Sequence, residues 1–137
     1  PLPSDVVIAK DCHADSVPVV KAVSEIEDDD IILDIGPETA GNFSDLIESM
    51  RTVIWNGPMG VFEFPQFSRG TESIALAVAR NEGFSIAGGG ETIAAIDRFA
   101  VGSDISYIST GGGAFLEFVK GGQLPAVQIL KEKSNNF

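Results

Sequence analysis

Cysteine and histidine occur once each in this sequence, and cationic residues are few beside acidic ones. A single cysteine, Cys12, excludes an internal disulfide and fits a reducing compartment. His13 beside it is the only histidine. The pair offers two ligands where a structural zinc site needs about four and a catalytic one about three, so no metal role is assigned to it. A small buried thiol beside a surface imidazole is the expectation. Nine Lys plus Arg stand against twenty Asp plus Glu, a net charge of −11. Such a surface repels nucleic-acid backbones and anionic membranes, and excludes both as expected partners. No apolar run approaches the roughly 20 residues that span a bilayer. An initiator Met is absent, and nothing after Pro1-Leu2-Pro3 resembles a basic region followed by an apolar one. No signal peptide is expected, and the chain reads as cut from something longer.

What is present suits a packed core. Of 137 residues, 44% are hydrophobic and 21% charged, which fits one globular domain and neither a disordered tail nor two domains. The acidity is partly concentrated in residues 25–30. A solvated turn before a strand is the expectation there, because a calcium loop needs spaced ligands and a glycine that are missing.

A regular rhythm begins at Ile31, after a short apolar segment at Asp5–Ala9. Four apolar runs, at Ile31–Ile35, Thr52–Trp55 and residues 84–87 and 105–109, each read as a buried strand. Each is followed by helix-period apolars: Phe43, Leu46 and Ile47; then Ile74, Ala77 and Val78; then Ile93, Ile96 and Ala100; then Phe115 and Val119. A last short helix is expected over residues 127–131. Strand–helix alternation predicts an α/β fold: a parallel sheet with helices on both faces, in a Rossmann-like three-layer arrangement. No repeat or low-complexity segment interrupts it.

Ligands in such sheets sit beyond the carboxyl ends of the strands. Three of the four strands end there in glycine-rich loops: Asn56-Gly57-Pro58-Met59-Gly60, Gly88-Gly89-Gly90 and Gly111-Gly112-Gly113. Glycine lets the backbone approach a phosphate closely, while the N–H groups and dipole of the next helix point at it. Tight turns alone would explain one triplet; three such loops on one edge favour an anion. No Gly-x-x-x-x-Gly-Lys-Ser/Thr string is present. Ile93 and Leu116 stand where a dinucleotide fingerprint needs its third glycine. Glu91-Thr92 either caps its helix, worth about 1 kcal/mol, or holds Mg²⁺ and a phosphate oxygen. The residues alone leave these two open.

Several stretches carry a resemblance. Trp55-Asn56-Gly57-Pro58-Met59-Gly60-Val61-Phe62-Glu63 is similar to the WNGPxGVFE signature of phosphoglycerate kinases. Ile86-Ala87-Gly88-Gly89-Gly90-Glu91-Thr92 resembles that family's GGGDT loop, and residues 109–117 its STGGGAxLE stretch. Asp34-Ile35-Gly36-Pro37-Glu38-Thr39 resembles its DIGPET, and Leu124-Pro125 its closing LP. Five motifs in order cover residues 1 to about 130.

The resemblance implies a cytoplasmic, two-domain and monomeric kinase of central carbon metabolism, of which this is the C-terminal portion of the nucleotide-binding domain. The reaction it implies is reversible phosphoryl transfer between ATP and 3-phosphoglycerate, giving ADP and 1,3-bisphosphoglycerate. It further implies that Glu63 bonds the ribose hydroxyls of ATP or ADP, and that Asn56 and Pro58 line the nucleotide site. Gly88, Gly89 and Gly90 then meet its phosphates with Thr92 beside them. Glu91 stands where the family has an aspartate on the nucleotide's Mg²⁺. Gly111 and Gly112, with Ser109 and Thr110, meet the transferring phosphoryl group. Trp55, Phe62, Phe64 and Phe67 are expected to be mainly packing. The phosphoglycerate-binding basic patch and a lysine on the nucleotide phosphates would lie before Pro1, so this portion alone is expected to be inactive. The alternative is a free-standing nucleotide- or phosphate-binding module without catalysis.

Overall fold

The computed structural model describes residues 1–134, and the strands fall into two sheets of three. Strands β1 (Asp5–Ala9), β2 (Val19–Ala22) and β3 (Ile31–Ile35) form an antiparallel sheet in the order β2-β1-β3. Strands β4 (Thr52–Trp55), β5 (Phe84–Gly88) and β6 (Tyr107–Ser109) form a parallel sheet in the order β4-β5-β6. The helices are α1 (Pro37–Ser49), α2 (Arg69–Arg80), α3 (Gly90–Phe99), α4 (Gly113–Val119) and α5 (Pro125–Ser134). No described helix is long and apolar enough to cross a membrane.

The α/β class and the Rossmann-like strand–helix order hold for β4 onwards, but the strand at residues 31–35 is a correction. It pairs antiparallel with β1 and takes no part in the parallel sheet. Its continuous apolar run suggested burial on both faces, yet Ile31 and Ile32 are exposed. Helix α1 packs on α2 and so links the two sheets instead of crossing over within one. Strand β2 was not anticipated; its residues are almost all exposed, so no core pattern marks it.

Parallel register puts Val53 and Trp55, Ser85 and Ala87, and Ile108 on one face of the second sheet. There Trp55 and Ala87 meet Ile74 and Val78 of α2 and Ala95 and Ile96 of α3 in the main core. The other face carries α4 at its carboxyl end, where the Phe115 ring lies against Gly88. Farther along that face Ile54, Phe84 and Tyr107 are 50%, 52% and 55% exposed. A second, smaller cluster joins Val7, Ala9 and Leu33 of the first sheet to Phe67, which is wholly buried. With Trp55 and Phe62 also buried and Phe64 packed on this cluster, the aromatic residues are packing groups as expected.

One surface expectation needs correcting. Cys12 is exposed: Ser16 and Gln66 tie down the backbone of its turn, Ser16 Oγ accepting from His13 N–H and Gln66 Nε2 donating to Ala14 O, and this leaves the thiol outside. The acidic run is the exposed turn before a strand that was expected, save at Asp30. The Asp30 side chain is enclosed, with its oxygens 2.9 Å from Lys10 Nζ and 2.8 Å from Lys21 Nζ. Lys21, the Glu27 amide and Lys10 together hold the Asp30 carboxyl far below its usual range. Glu27, Asp29 and Asp30 converge closely enough to hold a cation, and the two lysine ammonium groups already occupy that place.

Candidate functional site

Because β4, β5 and β6 run parallel, their carboxyl ends open on one edge, and the three glycine loops follow directly from them. The structure brings together Asn56, Gly57, Gly89 and Thr92. Gly57 N–H donates to Thr92 Oγ1 at 2.7 Å, and the Trp55 indole N–H closes the loop by donating to Gly57 O at 2.8 Å. A Cβ on Gly89 would stand 3.0 Å from Asn56 Oδ1. Gly57 and Gly89 have φ of +105° and +101°, a region that side-chain-bearing residues rarely adopt. Both positions therefore require glycine for the turn itself.

The helix amino termini differ in a way that bears on function. The first turn of α1 is sealed from outside by the buried Asp5 carboxylate, which accepts from Thr39 N–H at 2.8 Å and Glu38 N–H at 3.1 Å. Burial pushes the Asp5 carboxyl up, but these bonds and the Thr39 hydroxyl outweigh it and hold it below its usual value. The first turn of α2 is sealed by Asp34, whose Oδ2 accepts from Gly70 N–H at 2.7 Å. Helices α3 and α4 are preceded instead by Gly89 and Gly112, with no side-chain cap. The Thr92 hydroxyl is turned to Gly57 and Glu91 is exposed, so neither caps α3 among the described residues. The open first-turn N–H groups of α3 are a ready site for an anion.

The other expected residues are placed as follows. Pro58 is half-buried in the first loop. Gly88 is buried under Phe115, so its missing side chain serves the packing of α4. Gly111 N–H donates to Ser109 Oγ at 3.3 Å, and Gly112 has φ of +52°. Glu63 stands apart from the glycine turn. Its carbonyl accepts from Arg98 at 3.4 Å, near the far end of α3, and the Arg98 guanidinium lies 5.9 Å over the Phe62 ring. A large cavity, about 880 Å³, is elsewhere, between the first sheet and helices α1 and α2, with Val20, Pro37, Gly41, Arg69 and Leu76 on its walls. None of the glycine loops lines it, whereas Ser109 and Gly111 line a smaller cavity of about 370 Å³ with Phe115.

Sequence reasoning missed Asp34 and Thr71. Burial pushes the Asp34 carboxyl up to about 6, against the lowering effect of the Gly70 and Ile35 amides. Its unfolded counterpart titrates near 3.8, so between those values the folded chain binds the extra proton. The stabilisation from this group is then full below about pH 4 and is lost as pH rises through about 6. Asp5 and Asp30, held low, act in the opposite sense and in a more acidic window. Urea unfolding of wild type and Asp34→Asn isolates the effect. The wild type's advantage should shrink by on the order of 1–3 kcal/mol between pH 4 and pH 6.5, whereas a pH-independent difference would refute it.

Residues 1–122 match the family model described as phosphoglycerate kinase. The chain is similar to the structure of phosphoglycerate kinase from Coxiella burnetii, with a TM-score of 0.90 and 43% identity, covering 100% of this chain and 35% of that one. It is also similar to phosphoglycerate kinase from Pyrococcus horikoshii OT3, with a TM-score of 0.83 and 33% identity, covering 98% of this chain and 33% of that one. The chain thus spans about a third of the length of these relatives.

Proposed function

Because the chain belongs to the phosphoglycerate kinase family, we propose that it is the C-terminal portion of a nucleotide-binding domain acting in phosphoryl transfer. The reaction is transfer between ATP and 3-phosphoglycerate, giving ADP and 1,3-bisphosphoglycerate, in either direction. The observation that carries this reading is the contrast among helix amino termini. Carboxylates seal α1 and α2, while α3 opens uncapped onto the sheet edge beside Asn56.

In this reading the nucleotide phosphates rest on the first-turn amides of α3 at Gly90 and Glu91, with Gly89 giving them room. Asn56 and Pro58 line the site, and Thr92 ties the 56–60 loop to α3 through Gly57. The exposed Glu91 carboxylate suits a magnesium ion carried on the nucleotide, which typically takes one or two carboxylates besides phosphate oxygens and water. Gly111 and Gly112 face the transferring group from the start of α4. Phosphoryl transfer depends mainly on positioning and on charge stabilisation of the equatorial oxygens. These loops supply backbone dipoles, and the cations and the phosphoglycerate site belong to the rest of the enzyme.

Glu63 tests the assignment. If its carboxylate holds the ribose hydroxyls, Glu63→Ala in the complete kinase should raise the nucleotide KM more than it lowers kcat. Loss of a charge-assisted hydrogen bond, about 1.5–3 kcal/mol, corresponds to roughly a 10- to 150-fold rise. An unchanged KM removes Glu63 from the site.

A further inference from the structure

The 56–60 loop has its amides taken up internally. Gly57 N–H is held by Thr92 Oγ1, and Pro58 has no N–H to give. Met59 N–H and Gly60 N–H both donate to one atom, Thr71 Oγ1, at 3.1 Å and 3.2 Å. Thr71 is wholly buried in the first turn of α2, twelve residues from Met59. One hydroxyl therefore fixes two consecutive peptide groups of the loop, as Thr92 on α3 fixes the loop's other end.

Thr71 is itself held in place. The amide just before it, Gly70 N–H, donates to Asp34 Oδ2 at 2.7 Å. The Asp34 carboxylate also lies against Gly60: a Cβ there would stand 2.5 Å from Asp34 Cγ. Val61 N–H donates to Leu33 O at 2.8 Å, fastening the exit of the loop to β3. The arrangement is a chain of contacts from β3, through the start of α2, to a loop at the open end of the parallel sheet. Thr71 and Asp34 are themselves too buried to meet a ligand.

We propose that Thr71 is a positioning residue for nucleotide binding, setting the shape of the 56–60 loop through its paired bonds to Met59 and Gly60, with Asp34 anchoring it. This rests on the reading of that loop as part of the nucleotide site. Thr71→Val keeps shape and volume but removes the acceptor, leaving two part-buried amides without their partner. The loop should then sample conformations that bind nucleotide poorly, at a distance from the chemistry itself. Thr71→Ser keeps the acceptor, and Thr71→Cys offers only a weak one.

The measurement is steady-state kinetics of the complete kinase with both substrates varied. Thr71→Val should raise the nucleotide KM about tenfold or more while leaving the 3-phosphoglycerate KM within about twofold of wild type. Thr71→Ser should restore the nucleotide KM to within about twofold. Should Thr71→Val not fold, Thr71→Cys replaces it, with a nucleotide KM between those of wild type and the expected valine variant. A purely structural role would lower the melting temperature and scale activity without a selective change in nucleotide KM, and that result overturns the proposal. Absence of phosphoryl transfer in the wild type would take down the functional reading and this one together. An active wild type beside a Thr71→Val enzyme of unchanged nucleotide KM overturns the Thr71 assignment alone.

Discussion

This chain by itself is expected to form no ATP from ADP and 1,3-bisphosphoglycerate, at any rate less than a hundredth of the complete enzyme's turnover. The reason lies in what its open edge offers. The three loops present backbone dipoles, and the nine Lys and Arg of the whole chain are outnumbered by twenty acidic residues. Lys10 and Lys21 are engaged by Glu27, Asp29 and Asp30, and Arg80 by Glu48. Arg98 lies over Phe62 beside Glu63, toward the end of α3 away from the glycine turn. Holding two substrates in line is worth about 7–11 kcal/mol of the barrier, and in the proposed enzyme half of that clamp lies in another domain. Electrostatic stabilisation of the transferring group is commonly the largest single contribution, and in the proposed enzyme its cations come from outside this chain. A coupled ATP-formation assay on the purified chain, with the complete enzyme as control, decides the matter. Turnover within a hundredfold of the control would mean that the catalytic groups are in this chain after all.

A second large effect is expected at Gly89. Its φ of +101° is unfavourable for any side chain, and a Cβ there would press on Asn56 Oδ1 at 3.0 Å. Valine adds two further carbons in the space over the first turn of α3. The backbone strain alone is about 1–3 kcal/mol, and the turn would relieve it by moving the amides that the phosphates need. Gly89→Val in the complete kinase should weaken ADP binding on the order of 100-fold, read by calorimetric titration. Gly41→Ala is the matching control: it lies on α1 with open space around it, so ADP affinity should not change. Equal affinity of wild type and Gly89→Val would show that no phosphate approaches this turn.

What could be read from the sequence was what is local. Each of β4, β5 and β6 is contiguous with its glycine loop and the helix after it, so the site edge follows from strand–loop–helix order. What could not be read depends on partners far along the chain. Whether Ile31–Ile35 pairs with β1 or with β4 is decided by the β1–β2 hairpin and by α1 packing on α2, and an apolar run carries no trace of either. Asp34 was read only as part of a motif, and its bond to Gly70 spans 36 residues. Nothing near Thr71 in the sequence shows that Met59 and Gly60, twelve and eleven residues away, need its hydroxyl as an acceptor. The choice between cap and ligand for Glu91-Thr92 was open for the same reason: the group that claims the Thr92 hydroxyl is Gly57, 35 residues away.

The most direct test is a crystal structure of the complete protein with Mg·ADP bound. The phosphates should lie on the amides of Gly90 and Glu91 at the start of α3, with the ribose hydroxyls on Glu63 and the 56–60 loop in the form described. ADP bound elsewhere, for instance in the large groove between α1 and α2, with the first turn of α3 contacting no phosphate, would contradict the proposed site.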